Sequence, residues 1–302
     1  MLADYHVHTN YSDDSWYPLE KVIQDAIGLG LTDICITDHV DYGIKVDPEY
    51  LDASVRLEYE KNALVGPKEN SKEALMKWLD WRREKILNVD YPSYVKEIQS
   101  LQKKYKDRIN IKMGLEFGIQ SHTIEQYKKL YSRYHWDFIL LSIHEVDNKE
   151  FWSQEYQMGK TQDEYQMGYY NEMLKVVQNF KDYSVLAHMD MIVRYDKKGE
   201  YPFEKIKPII TEILKQVIAD GKGIEVNSSC FYYGLKDLTP SRDILKLYKE
   251  LGGTILTVGS DSHKEEHLGA HIQDVYNEIK KLGFEYVYTY EQMKPIAHRI
   301  ED

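Results

Sequence analysis

Six of the eleven histidines in this 302-residue chain stand at the ends of short apolar runs, and carboxylates accompany them. His6 and His8 form a His-x-His pair after the first run, His39 closes Thr37-Asp38-His39, and Glu116 lies within Gly114-Leu115-Glu116-Phe117. His144 follows Ser142-Ile143, His188 follows Ala187, Asn227 and Ser228 end a sixth run, and Asp261 and His263 follow a seventh in Gly259-Ser260-Asp261-Ser262-His263. Imidazole together with carboxylate is the donor set favoured by zinc, iron and manganese. Residues two apart on a strand share a face, so His6 with His8, and Asp261 with His263, can enter one cavity. Any one histidine alone reads more simply as a satisfied core residue; the ordered set reads as a metal centre. His122, His135, His267, His271 and His298 lack matching partners and read as structural or solvated, His267 being the nearest to a site loop.

The runs that carry these residues are short and β-rich, and longer stretches of helical period alternate with them. Strands are predicted at 3–6, 33–37, 109–116, 136–144, 184–188, 223–227 and 254–259. Helices are predicted at 19–30, 94–105, 124–134, 162–180, 203–220, 241–251 and 273–282, several ending at a glycine such as Gly30, Gly221 or Gly252. This alternation predicts βαβ units and a parallel sheet. Every candidate donor then falls at a strand's C-terminal end, the edge at which barrels and open parallel sheets bind ligands. One stretch, about residues 41–92, breaks the rhythm and is read as an insertion in one domain spanning 1–302, helical around 72–87. It is either a solvated excursion or a lid over the site.

Composition narrows the function classes. Thirty-nine Lys and Arg against 50 Asp and Glu give a net charge of -11, and no basic stripe is present, which argues against nucleic acid as a partner. Two distant cysteines, Cys35 and Cys230, exclude a disulfide scaffold and a thiolate zinc site. No apolar run approaches a membrane span, and no basic-then-apolar leader opens the sequence, so a cytoplasmic location is expected. The oligomeric state is not legible.

As an ordered set, the motifs resemble those of the polymerase and histidinol phosphatase (PHP) superfamily, and within it the histidinol-phosphate phosphatase branch. The resemblance runs from about residue 3 to residue 283 and includes Ser12-Asp13-Asp14-Ser15, Gly114 to Gly118, His188-Met189-Asp190 and Glu225-Val226-Asn227. It implies an α/β fold, a distorted (β/α)7 TIM-like barrel, with three divalent ions (Zn, Mn or Fe) at its mouth. Carried over by position, it makes His6, His8, Glu116 and Asp261 ligands of a first ion. Glu116 bridges to a second held by His144 and His188, and Asp14, His39 and His263 hold a third. Asp13 is the alternative to Asp14, and both also suit a turn before the first helix.

The resemblance further implies hydrolysis of L-histidinol phosphate to L-histidinol and phosphate, in histidine biosynthesis, with Glu116, Asp261 and His263 closest to the chemistry. Arg194 looks like the residue that grips the phosphate, since a guanidinium fork matches two phosphate oxygens; its simpler reading is a salt bridge. Asn227 and Ser228 are the other expected substrate contacts, although relatives commonly carry an arginine near Ser228 to Gly234. Alternative readings are a PHP phosphoesterase for another small ester, nucleotide or phosphodiester, a noncatalytic metal-binding scaffold, and, less attractively, a metal-dependent amidohydrolase.

Overall fold

The computed structural model describes residues 1–51 and 87–301. In chain order the first half supplies β1 (Ala3–Val7), α1 (Leu19–Gly28), β2 (Asp33–Ile36), β3 (His39–Val40), α2 (Tyr91–Tyr105), β4 (Asn110–Gly118), α3 (Ile124–Tyr131) and β5 (Phe138–Ser142). There follow β6 (Glu145–Val146), β7 (Lys149–Glu150), α4 (Gln162–Asn179), β8 (Val185–Leu186), α5 (Phe203–Ala219), β9 (Gly223–Asn227), α6 (Ser229–Tyr232), α7 (Arg242–Glu250), β10 (Leu256–Gly259), α8 (Ile272–Lys281), β11 (Tyr286–Glu291) and β12 (Lys294–Arg299).

The principal sheet runs β1-β2-β4-β5-β8-β9-β10, every neighbouring pair parallel, and β3 pairs with the end of β4. The sheet's two edge strands, β1 and β10, meet through the residues that end and follow them: Val7 bridges Ser262, the His8 amide donates to the Ser262 carbonyl at 2.8 Å, and the Asp261 amide donates to the His6 carbonyl at 2.8 Å. The result is a distorted, nearly closed (β/α)7 barrel, as the resemblance implied, built on the parallel sheet that the alternation predicted. Helices cover its outside by burying one stripe each. In α1 the stripe is Leu19, Val22, Ile23 and Ala26, a spacing of three and four.

Two apolar layers result. Outward-facing strand residues such as Ile34, Leu115, Leu141 and Val226 pack under the helices. Inward-facing Ala3, Tyr5, Cys35, Phe138, Leu140, Val185 and Ala187 fill the barrel, closed from below by Tyr290 of the β11–β12 hairpin. Tyr290 lies 5.0 Å from the Phe138 ring, its backbone amide donates to the Tyr5 hydroxyl at 3.0 Å, and its own hydroxyl donates to the Ser184 carbonyl at 3.3 Å. This plug leaves the opposite, C-terminal end for the polar residues.

The observed strands and helices follow the predicted ones with ends shifted by a few residues. The predicted strand at 184–188 contracts to Val185–Leu186, so His188 lies past its strand rather than on it. The β11–β12 hairpin and the short β3, β6 and β7 carry no counterpart in the sequence reading. Most of the helix expected around 72–87 lies outside the described residues.

Candidate metal centre

Strand register brings the donors together. His39 and Glu116 are Cα partners across β3 and β4, and Gly259 stands beside Asn227 across β10 and β9. In β1 a register shift between Asp4 and Val7 interrupts alternation, so that Tyr5 faces the barrel interior and the next residue, His6, also turns to the donor cluster. Such irregularities beside a site re-aim a side chain.

Glu116 is the hub. It is fully buried, and five imidazole nitrogens approach its carboxylate: His6 Nε2 at 3.2 Å, His8 Nε2 at 3.4 Å and His39 Nδ1 at 2.9 Å on Oε2, with His144 Nε2 at 3.1 Å and His188 Nε2 at 2.8 Å on Oε1. Asp261 Oδ1 lies 3.5 Å from His6 Nε2 and 3.4 Å from His8 Nε2. At the rim, Asp14 Oδ2 is 3.5 Å from His39 Nε2 and 3.2 Å from His263 Nε2, and the two rings approach at 3.3 Å. Asp13 points elsewhere, to Lys45 Nζ at 2.6 Å.

These distances test whether a cation suits the donors. His6 Nε2, His8 Nε2, His39 Nδ1 and Glu116 Oε2 are buried and make no hydrogen bond, although they face one another. Buried polar atoms left without hydrogen bonds are costly. Donors about 2.0–2.1 Å from a tetrahedral zinc would be spaced roughly 3.3–3.4 Å apart, and the His6–His8–Glu116–Asp261 contacts of 3.2–3.5 Å match that spacing. The Asp14–His39–His263 triangle matches it equally, with edges of 3.2–3.5 Å. The residues fit divalent cations.

The electrostatics agree. Burial works against the charge on Glu116 and on Asp261, yet His6 and its neighbours hold both carboxyls well below the usual range. Burial likewise opposes a proton on His144, but Glu116 and Asp41 carry its pKa up to about 10. For His8, burial and the adjacent His263 and His39 push the value well below the usual one, leaving a neutral imidazole. A cluster that attracts protons so strongly attracts metal ions for the same reason, and binding them releases those protons.

Behind the donors stands a set of orienting groups. His6 Nδ1 meets Glu225 Oε1 at 2.6 Å, and His144 Nδ1 meets Asp41 Oδ1 at 2.7 Å. His8 Nδ1 lies 3.1 Å from Ser12 Oγ, which donates to Asp38 at 2.6 Å, and His263 Nδ1 lies 2.9 Å from the Asp261 carbonyl. Partners of this kind fix which ring nitrogen carries the proton and leave the other lone pair for a metal. Sequence reading missed Asp38, Asp41 and Glu225 in this role. Glu225 carried a signal, a carboxylate two residues before Asn227 inside an apolar strand.

Arg194 sits on a 3-10 turn, Met191–Tyr195, with its side chain 7% exposed at the edge of the cluster. Its fork donates to Ser229 Oγ at 2.7 Å and reaches Asp261 Oδ2 at 3.4–3.5 Å, and the Tyr233 ring lies 4.1 Å from the guanidinium. Asn227 and Ser228, the other expected substrate contacts, are hydrogen-bonded within the protein. The Ser228 hydroxyl donates to the Ala270 carbonyl at 2.6 Å, and Asn227 Oδ1 accepts the Ser229 amide at 3.0 Å while Nδ2 lies 3.3 Å from Glu225. Both are fully buried and engaged, because α6 starts at Ser229 and turns the chain there; Ser229 is the serine that touches Arg194. His267, the possible exception among the outlying histidines, stacks on Tyr232 at 3.8 Å.

Comparison with known proteins identifies the family. A histidinol-phosphatase of Lactococcus lactis subsp. lactis is 31% identical over 297 residues, spanning 96% of this chain and 95% of its own. The histidinol-phosphatase of Saccharomyces cerevisiae is 20% identical over 338 residues, spanning 97% of this chain and 93% of its own. The crystal structure of the Lactococcus lactis histidinol phosphate phosphatase, complexed with zinc, L-histidinol and phosphate, superposes with a TM-score of 0.77 at 29% identity, covering 98% of each chain. The PHP domain family model matches residues 4–229, and on that match and these relatives the chain belongs to the PHP domain family.

Proposed function

We propose that this protein is a metal-dependent phosphomonoesterase that takes L-histidinol phosphate and water to L-histidinol and inorganic phosphate, with three divalent ions at the barrel mouth. The observation that carries the reading is the convergence of six imidazoles on three carboxylates, Glu116, Asp261 and Asp14, with an arginine fork at their edge. The names and ligands of the Lactococcus lactis relatives support the choice of substrate.

His6, His8, Glu116 and Asp261 would hold one ion, Glu116 with His144 and His188 a second, and Asp14, His39 and His263 a third. Bound there, such ions supply Lewis acidity toward phosphoryl oxygens and acidify water near neutral pH. The chain's own residues do the rest. Ser142 donates to Glu116 Oε1 at 2.6 Å and fixes the hub carboxylate. Glu225 keeps the His6 proton on Nδ1, so that Nε2 faces the cluster. Arg194, braced by Ser229 and Tyr233, presents a buried fork to two phosphate oxygens and orients the ester bond.

The test is the ratio of kcat/KM for L-histidinol phosphate to that for a nucleotide, a sugar phosphate and a phosphodiester, measured on zinc- or manganese-loaded protein. A preference of at least about 100-fold, ~2.7 kcal/mol, is expected. An equal or better rate with another ester would contradict the substrate and keep the metal centre.

A further inference from the structure

We propose that Asp41, clamped by Lys45, is a positioning residue that presents His144 to a divalent ion, and that residue 118 is glycine because this pair occupies the space a side chain there would need. The inference rests on the reading of His144 as a metal donor.

His188 and His144 flank Glu116 Oε1, yet they are supported differently. His188 Nδ1 is buried without a hydrogen-bond partner, whereas His144 Nδ1 is held at 2.7 Å by Asp41 Oδ1. A carboxylate on Nδ1–H sets the tautomer, turns Nε2 toward the ion and raises its basicity. Among the described residues, the orientation of His144 therefore depends on Asp41.

Asp41 is itself fixed by Asn88 and by Lys45. Its backbone amide donates to Asn88 Oδ1 at 2.9 Å, and its Oδ2 lies 2.7 Å from Lys45 Nζ, four residues along the chain. Both side chains are largely withdrawn from water, Asp41 at 3% and Lys45 at 8% exposure, so the lysine neutralises a carboxylate that would be costly to bury alone. Lys45 also engages Asp13, whose neighbour Asp14 remains directed at His39 and His263. One lysine thus braces the supports of two parts of the cluster.

Gly118 is the independent mark of this device. Its backbone is an ordinary strand in register with Ser142, and it does not adopt the positive φ that would demand glycine. A Cβ at that position would lie 1.9 Å from Asp41 Oδ1 and 2.7 Å from His144 Nδ1. Space for the pair, rather than backbone freedom, accounts for the residue.

The experiment compares the parent, Asp41→Ala, Asp41→Asn, Gly118→Ala and the Asp41→Ala/Gly118→Ala double variant, each loaded with zinc and dialysed against graded chelator. Bound zinc per chain is counted, and thermal unfolding is recorded beside it; no substrate enters the readout. Asp41→Ala should release its most labile ion at about 10- to 100-fold lower chelator strength than the parent. Gly118→Ala should do the same, and the double variant should be no worse than the weaker single one, because both remove one support. Asp41→Asn keeps an oxygen for Nδ1–H and should fall between the parent and Asp41→Ala. If Asp41→Ala does not fold, Gly118→Ala and Asp41→Asn carry the comparison. Variants that unfold at lower temperature yet release zinc at the parental chelator midpoint overturn the inference alone. A parent that holds no zinc overturns the metal reading and the inference with it.

Discussion

Replacing Arg194 by alanine should weaken substrate capture far more than it slows the bound complex. The guanidinium is buried at 7% exposure, and its two terminal nitrogens engage Ser229 and Asp261. A phosphate accepting both donors gains two charge-assisted hydrogen bonds, each worth roughly 1.5–3 kcal/mol. The contacts to Ser229 and Asp261 given up on binding offset part of this, leaving about 3–4 kcal/mol, or roughly 100- to 1,000-fold in kcat/KM. Initial rates of phosphate release across L-histidinol phosphate concentration should show most of the loss in KM, with inhibition by inorganic phosphate weakened in parallel. Arg194→Lys keeps a charge but loses the planar fork and the stacking on Tyr233, so it should recover only part of the loss. A folded Arg194→Ala protein with kcat/KM within about twofold of the parent would refute the assignment and leave Arg194 as a salt bridge to Asp261.

Three other outcomes follow from the same geometry. Glu116→Gln places a neutral amide where five imidazole nitrogens converge; bound metal per chain should fall and kcat should drop by at least ~1,000-fold, about 4 kcal/mol, and wild-type-like activity would sink the shared-ligand arrangement. Tyr290→Ala should open a cavity under the barrel and cost about 3–5 kcal/mol by denaturant unfolding, with substrate preference in the folded fraction unchanged; a loss below ~1 kcal/mol would contradict the plug. Burial pushes the Cys230 thiol up to about 11, so at pH 8 its thiolate fraction is roughly 200-fold below that of a free cysteine near 8.5. Alkylation of the native protein should therefore be slow at pH 8 and accelerate as pH rises toward 11, and rapid labelling at pH 8 would contradict the packing around α6.

The parallel sheet and its helices were legible because the sequence alternates consistently: Gly223–Asn227 is a strand in both readings, and the striped helices stand within a few residues of their predicted ends; closure into a barrel came from the resemblance. Most of the polar residues were legible because they lie at or just past the C-terminal ends of such strands, where few other uses require histidine. Alternation failed at Tyr5 and His6, where a register shift turns neighbours to one side, a local event that a period-two pattern does not contain. Asn227 and Ser228 were singled out from position alone, and the hydrogen bonds that hold them to backbone and to Glu225 arise only from the turn into α6. Asp41 and Lys45 were hidden inside the stretch read as an insertion, because their role comes from a contact across more than 100 residues to His144. Tyr290 was hidden for the same reason: nothing local in the hairpin signals that it closes a barrel whose first strand is 285 residues away.

The most direct test of the account is phosphate release from L-histidinol phosphate by the protein as purified, after stripping with chelator, and after return of zinc, manganese or iron, with bound metal counted at each stage. The account predicts hydrolysis that disappears on stripping, returns with metal, and reaches its maximum near three ions per chain. Hydrolysis that persists at full rate without bound metal, or its absence at every metal loading, would contradict it.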